Sequence, residues 1–364
     1  MEKKFQPVLD SPVATLSKES EEKLALLRAD LIANRRMGRW EKLLGSDNYR
    51  VVRAMVTTPT SVVGIVLIAL FFLLAVAAPV IMPPLAGEDP YKIPEDGYSQ
   101  IPKLPGAAWI QNTPPLPFWY QPLTGKTEWV HILGTVPGQY DILYGIVWGT
   151  RVALVTGLVI EIVTLLIGII IGSISAYYGG MLDNIIMRIV DIFMTLPFIL
   201  AALILAAVLM PRLGRSVIPV VIALIVFGWM GYARLIRGDI LSVKERDYIL
   251  AARVIGVKDM RILFKHIIPN AIFPTLVIAS LDIGTYVLNF AALSFLGIGA
   301  DPGYADWGQM ISFARDWITS LAKYWYIVVY PGLILVLFVL GWNLLGDAVR
   351  DIMDPRLRKM QEGN

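Results

Sequence analysis

Two acidic residues, Glu161 and Asp282, stand inside long apolar runs of this 364-residue chain, and chemistry is to be sought there first. An ionised side chain at the centre of a bilayer costs ~2.5–3.5 kcal/mol on insertion scales. Each should therefore face a bundle interior or water. With Asn289 they form a candidate lining for a translocation path. The competing role is structural: burial against a polar group of another subunit or, for Glu161, a brace between helices. Catalytic patterns are missing. The chain has no cysteine and two histidines, His131 and His266. It has no His-Glu-x-x-His or Gly-x-Ser-x-Gly pattern, so no metal ligand set or activated nucleophile is expected. Gly125-Lys126-Thr127 matches the end of a phosphate-binding loop, but that loop needs a glycine five positions earlier, where Tyr120 stands. The expectation is a chain that is not itself an enzyme.

A second group of residues lies between apolar runs, from Lys244 to Pro269. Tyr248, Ala251, Ala252 and Ile255 recur at i, i+3, i+4 and i+7, the spacing of one helical face. Gly256 is a natural stop. Beyond it Met260, Leu263, Phe264 and Ile267 make a second stripe, with Lys258, Arg261 and Lys265 off it. Pro269 then opens another apolar run, where a first-turn proline is tolerated. Two short helices joined at a glycine would offer a docking surface.

The elements that must position these residues follow from composition. Apolar residues make up 56% of the chain and charged residues 17%, against about 45–50% and about 25% in soluble domains. A soluble enzyme is thereby excluded. Six runs are long enough to cross ~30 Å of hydrocarbon as helices: 61–82, 152–176, 190–210, 216–235, 270–296 and 326–346. An open sheet would strand its backbone groups in lipid, so the fold class is all-α, a polytopic membrane protein with six transmembrane helices. Lys and Arg number 24 in one set of connections and 8 in the other. That bias puts both termini in the cytoplasm.

The expected organisation is a cytoplasmic N-terminal region (1–60), a first span (61–82) and a long extracytoplasmic loop rich in Pro and Trp (83–150). A five-helix core (151–346) with a cytoplasmic loop (237–269) and a short cytoplasmic tail (347–364) follow. The charged first sixty residues argue against a cleaved signal peptide before the first span. Within them 20–44 reads as an amphipathic helix with Leu24, Leu27 and Leu31 on one stripe. Trp109, Trp119, Trp129 and Trp148 of the outer loop suit packing or the lipid interface more than a ligand. Gly168 and Gly172 have the spacing of a close helix approach. Arg188 with Asp191, and Arg234 with Asp239, read as local structural charges.

Ala251-Ala252-x-x-x-Gly256, with Ile268-Pro269, resembles the cytoplasmic signature of permease subunits of bacterial ATP-binding-cassette importers. The wider chain is similar to the peptide/nickel branch, and within it to the dipeptide and oligopeptide permease subunit with the long N-terminal part. The supporting stretches are His131-Ile-Leu-Gly-Thr135, Gly149-Thr-Arg-Val-Ala-Leu154, Asp183 to Pro197, Leu293-Ser-Phe-Leu-Gly-Ile-Gly299, Asp306-Trp-Gly308, Asn343-Leu-Leu-Gly-Asp347, Arg350-Asp351 and Asp354-Pro355-Arg356. They run in order over about 50–358. The departures are Leu250 for the signature's leading glutamate, Val136 and Gly138-Gln-Tyr-Asp141 after the Leu-Gly-Thr stretch, and Phe290 for an acidic residue.

The resemblance implies a type I importer permease in a prokaryotic cytoplasmic membrane. Its implied partners are a second homologous permease, two ATPase subunits, an external substrate-binding protein and membrane lipid, with no nucleic acid. Asp247, Tyr248, Ala251, Ala252, Arg253 and Gly256 would couple to the ATPases. ATP and Mg2+ would be used by those partners, and no cofactor by this chain. Peptides are the leading cargo, with oligosaccharides and nickel chelates as alternatives. A rival from another class is a self-sufficient secondary transporter, which would carry inverted repeats around a midplane site; the sequence has no convincing repeat.

Overall fold

The computed structural model describes residues 56–353. The expected amphipathic helix at 20–44, most of the region 1–60, and the end of the tail from 354 lie outside the described residues. Among the described residues, five helices are long and apolar enough to cross a membrane, and six spans result if one sharply bent pair counts as one.

Helix α1 (Pro59–Ile81) starts with a proline in its first turn, where a missing N–H costs no hydrogen bond. It buries Ile68, Phe71, Ala75 and Ala78 along one face and turns Val66, Leu70, Leu73 and Val76 outward, toward what in a membrane is lipid. Helix α2 (Ile142–Tyr178) has 37 residues and reaches ~55 Å at 1.5 Å per residue. It begins ten residues before the expected span 152–176 because its first turns pack against the preceding connection, with Tyr144 donating to the Pro90 carbonyl and Trp148 to that of Met82. Helix α5 (Ile218–Lys244) likewise overruns the expected 216–235 at its C-terminal end. Helix α7 (Phe273–Phe295) and helix α8 (Tyr326–Met353) complete the bundle.

The expected single span 190–210 is instead two helices, α3 (Gly180–Met194) and α4 (Phe198–Leu213), bent by 89° at the break. Pro197 lies at that break, and a residue before proline is pushed out of helical backbone. A hydropathy run carries no direction, so it passes over such a corner. Arg237 fastens α3 to α5 through two 2.6 Å bonds to Asp183, which also accepts a 2.6 Å bond from Ser175. Arg234 pairs with Asp191. Asp191 therefore pairs across helices rather than with Arg188, and Asp239, five residues from Arg234 on α5, points to a different face of that helix.

The connection between α1 and α2 forms a cap held by polar groups rather than by regular structure. Its two-residue strands β1 (Thr135–Val136) and β2 (Tyr140–Asp141) pair antiparallel. The buried His131 ring puts Nδ1 2.7 Å from Asp141 and Nε2 2.9 Å from Asp96, and Trp109 lies over it at 4.1 Å between centroids. Burial would raise the Asp96 carboxyl, but Lys103, the Gln111 and Ile110 amides and His131 outweigh it and hold the group below the ordinary value. The cap tryptophans pack: Trp119 and Trp148 donate at 2.9 Å to Ile81 and Met82 carbonyls at the end of α1, and Trp129 meets Tyr120 edge-on. Gly125 merely ends the short helix Tyr120–Thr124 in left-handed backbone.

Asp306 caps the helix Trp307–Ser312 in the second outer connection, accepting from the Gly308 amide at 2.9 Å. Burial pushes its carboxyl up to about 6, more than the neighbouring amides lower it. A native state that holds this proton more tightly than the unfolded chain loses stability as pH rises from ~4 through that value. Asp306→Asn keeps the cap and removes the charge. Thermal unfolding of detergent-solubilised protein should give the variant an advantage at pH 8, up to about 3 kcal/mol. The advantage should vanish near pH 4; equal stability at pH 8 would contradict the buried charge.

Candidate functional site

Helices α2, α5 and α7 bring three of the sequence candidates' surroundings together at membrane depth. Glu161 is 3% exposed, and the Tyr232 hydroxyl lies 3.1 Å from its Oε2 and 2.6 Å from Asp282 Oδ2. Tyr232 stands on α5 between a carboxyl of α2 and one of α7, a junction that sequence reading missed. The other Glu161 oxygen is buried without a partner.

Asp282 and Asn289 line one cavity of about 290 Å³, whereas Glu161 is not part of its wall. The apolar walls are Phe193, Met194 and Phe198 from the α3–α4 corner and Phe227 from α5. The corner at Pro197 thus makes room that a straight helix would fill. Thr285 and Tyr286 complete the α7 wall. The spacing Asp282, Thr285, Asn289 is i, i+3, i+7, a helix-face signal that the sequence displayed and that only Thr285 was needed to complete.

Helix α6 (Asp247–Val254) follows α5 with Asp247 in its first turn, where a carboxylate suits the helix dipole. Gly256 follows at φ +79° with open space where a Cβ would stand, so backbone conformation alone selects glycine there. Ile249 is fully buried with Ile262, Leu263 and Ile267 against Ala176 and Ile240. Lys244 donates to the Ala176 and Tyr177 carbonyls at 3.1 and 2.5 Å, the Tyr177 hydroxyl donates to Asp259 at 2.5 Å, and Arg253 lies over the Tyr177 ring at 5.7 Å.

The first expected stripe stays mostly outward under this anchoring. Ile249 provides the inward contact, and Ala252 packs at its edge. Tyr248 and Ala251 stay exposed, as do Val254 at 86% and Ile255 at 78%. The second expected stripe divides: Leu263 and Ile267 go in, while Met260 and Phe264 stay out. A π-helical turn at Leu263–Ile267 changes the angular step along the chain, which a 3.6-residue count does not anticipate. The result is an anchored elbow with apolar side chains facing away from the bundle.

Residues 164–359 match the family described as binding-protein-dependent transport system inner membrane component. The chain belongs to that family. It is an importer permease subunit of the inner membrane that works with ATPase and substrate-binding subunits, and it is not itself an enzyme. It is similar to the Dipeptide transport system permease protein DppC of Alkalihalophilus pseudofirmus, 39% identical over 63% of this chain and 73% of the relative. It is also similar to the Glutathione transport system permease protein GsiD of Pectobacterium atrosepticum, 37% identical over 69% of this chain and 83% of the relative. A solved structure of the MetNI methionine ABC transporter in inward-facing conformations aligns at a TM-score of 0.49 and 20% identity, over 58% of this chain and 98% of that one.

Proposed function

We propose that this chain forms half of the path of a peptide importer and pairs with a second homologous permease and two ATPases. The observation that carries the coupling part is the elbow around α6, fixed through Ile249 while Tyr248, Val254 and Ile255 stay exposed. An apolar face of this kind suits a groove on a partner. Asp247, Tyr248, Ala251, Ala252, Arg253 and Gly256 are its coupling residues, within the cytoplasmic loop 237–269. ATP and Mg2+ act in the partner subunits, and closure of those subunits biases the bundle between two states of different affinity for them. Peptide cargo is supported by relatives whose names specify dipeptide and glutathione transport.

Asp282 and Asn289 belong to the path, and Glu161 stands behind them through Tyr232. The outer loop 83–150, together with 297–325, receives the binding protein. Residues 61–82 form the first span, 151–346 the core, and 1–60 and 347–364 the cytoplasmic ends. A tagged chain purified from its host in mild detergent should bring ATPases and a second permease with it. After reconstitution with the co-encoded binding protein, it should accumulate labelled di- and tripeptides only with ATP. A lone chain that transports without ATP would overturn the reading in favour of a secondary transporter.

A further inference from the structure

The cavity between the α3–α4 corner, α5 and α7 has about 290 Å³, close to the lower end of ligand pockets at ~300 Å³. Its polar groups are Asp282, Thr285 and Asn289 in one line along α7, opposite aromatic and methionine side chains. No lysine or arginine lines it, so no positive charge within the cavity answers Asp282.

The hydrogen bonds behind Asp282 decide which carboxyl carries charge. A phenol has a single hydrogen, and the Tyr232 hydroxyl lies within bonding distance of both Asp282 and Glu161. One carboxyl must therefore supply a hydrogen of its own. Glu161 is the buried member, with one oxygen lacking any partner, and an ion there would be poorly solvated. Asp282 is half-buried, borders the cavity and takes the shorter bond from Tyr232. The directional chain then runs from the Glu161 hydroxyl to the Tyr232 oxygen, and from the Tyr232 hydroxyl to the Asp282 carboxylate. Asp282 is then the one anionic group among the residues lining the cavity.

We propose that Asp282, lined up with Thr285 and Asn289, receives the ammonium group of the passing cargo, so that this permease favours a cationic group in the path. Glu161 and Tyr232 are positioning residues for that carboxylate. The proposal rests on the peptide-importer reading and adds the charge class of what the path recognises. An ammonium has two sources in a peptide, the amino terminus and a lysine side chain, and both present the same donors.

The test uses the whole importer in proteoliposomes, loaded by its own binding protein at saturation, with Ala-Lys-Ala, Ala-Gln-Ala and N-acetyl-Ala-Lys-Ala as cargo. The binding protein's own preference cancels when rate ratios are compared between permease variants. Asp282→Asn should lower the Ala-Lys-Ala rate on the order of tenfold, the scale of a lost charge-assisted bond, while Asp282→Glu should retain it. A fall confined to the lysine peptides assigns the side-chain ammonium. A fall shared by both free-amino peptides and absent from the acetylated one assigns the terminus. Thr285→Lys, which keeps Asp282 and sets a fixed ammonium beside it, should depress the same rates and serves if Asp282→Asn fails to assemble. Import by the unaltered complex with rates indifferent to these variants overturns this proposal and leaves the peptide reading standing. Absence of peptide import by an ATP-hydrolysing complex overturns both.

Discussion

Replacing Gly172 by valine should stop the chain from accumulating as a folded protein, although the substitution adds only apolar atoms to an apolar helix. A Cβ at this position would stand 2.3 Å from the Ala233 carbonyl oxygen and 2.6 Å from Ile236 Cγ2. One turn earlier, a Cβ at Gly168 would meet Tyr232 Cβ at 2.4 Å and the Trp229 carbonyl oxygen at 2.8 Å. The Ala233 and Trp229 carbonyls are backbone and Tyr232 Cβ is the root of a side chain, so no rotamer change relieves those contacts. Helices α2 and α5 would have to separate along the largest helix–helix interface of the described residues. Within a membrane, association depends on close packing rather than on burial from water, so the loss has no hydrophobic compensation.

Alanine already overfills the site, at a cost of about 1–3 kcal/mol. Valine extends the clash to both γ-methyls. Fluorescence-detected gel filtration in mild detergent is the measurement. Gly172→Ala should shift the melting temperature down by several degrees, and Gly172→Val should remove the monodisperse peak. Gly238→Ala on α5, where nothing lies within 4 Å of the added carbon, should be neutral or stabilising by up to about 1 kcal/mol. Equal behaviour of Gly172→Val and Gly238→Ala would show that this crossing does not hold the bundle. Because Gly168 faces Tyr232, the same crossing also sets the distance from Tyr232 to Glu161.

The crossing shows both the reach and the limit of sequence reading. Gly168 and Gly172 were legible as a small-residue spacing, but that spacing names no partner, and only the fold supplies Trp229 to Ile236 opposite. The spans were legible because twenty apolar residues have few other uses. Their ends were not, since α2 and α5 continue past their apolar runs into contacts with protein, where hydropathy no longer marks the boundary. Pro197 announced a helix break that the apolar run 190–210 concealed.

At the membrane-depth site, Asp282, Asn289 and Glu161 stood out as polar residues among apolar ones. Tyr232 did not, because a phenol ring reads as one more aromatic until its hydroxyl is seen between two carboxyls. The cap was the least legible. His131 and Asp96 are separated by 35 residues of aperiodic chain, and no local pattern predicts that they meet. The loop after α5 was read correctly as helix and glycine, yet its inward residue, Ile249, was not among the expected stripe.

The outward side of α6 leads to the second large effect, the double replacement Val254→Asp with Ile255→Asp. Both side chains project from the end of α6 with 86% and 78% of their surface exposed, so in the isolated chain the two aspartates cost little. A partner groove that receives them gains ~1.5–3 kcal/mol per buried aliphatic side chain. It would instead have to desolvate two unpaired carboxylates. The complex should weaken by a factor on the order of 10³ or more. ATPase subunits should then be lost from the tagged permease on gel filtration, and ATP-dependent uptake should disappear. The permease itself should keep its elution volume and melting temperature. Ile249→Asp makes the contrast, because Ile249 is fully buried beneath the elbow, and its replacement should disturb the fold before any partner is considered. A double variant that still retains ATPases and transports at the unaltered rate would move the coupling surface elsewhere, with the exposed Met260 and Phe264 next to be replaced. Loss of coupling with an intact bundle would instead separate the two sides of the elbow: Ile249 holds it to the bundle, and Val254 and Ile255, at and just past the end of α6, hold it to the ATPase.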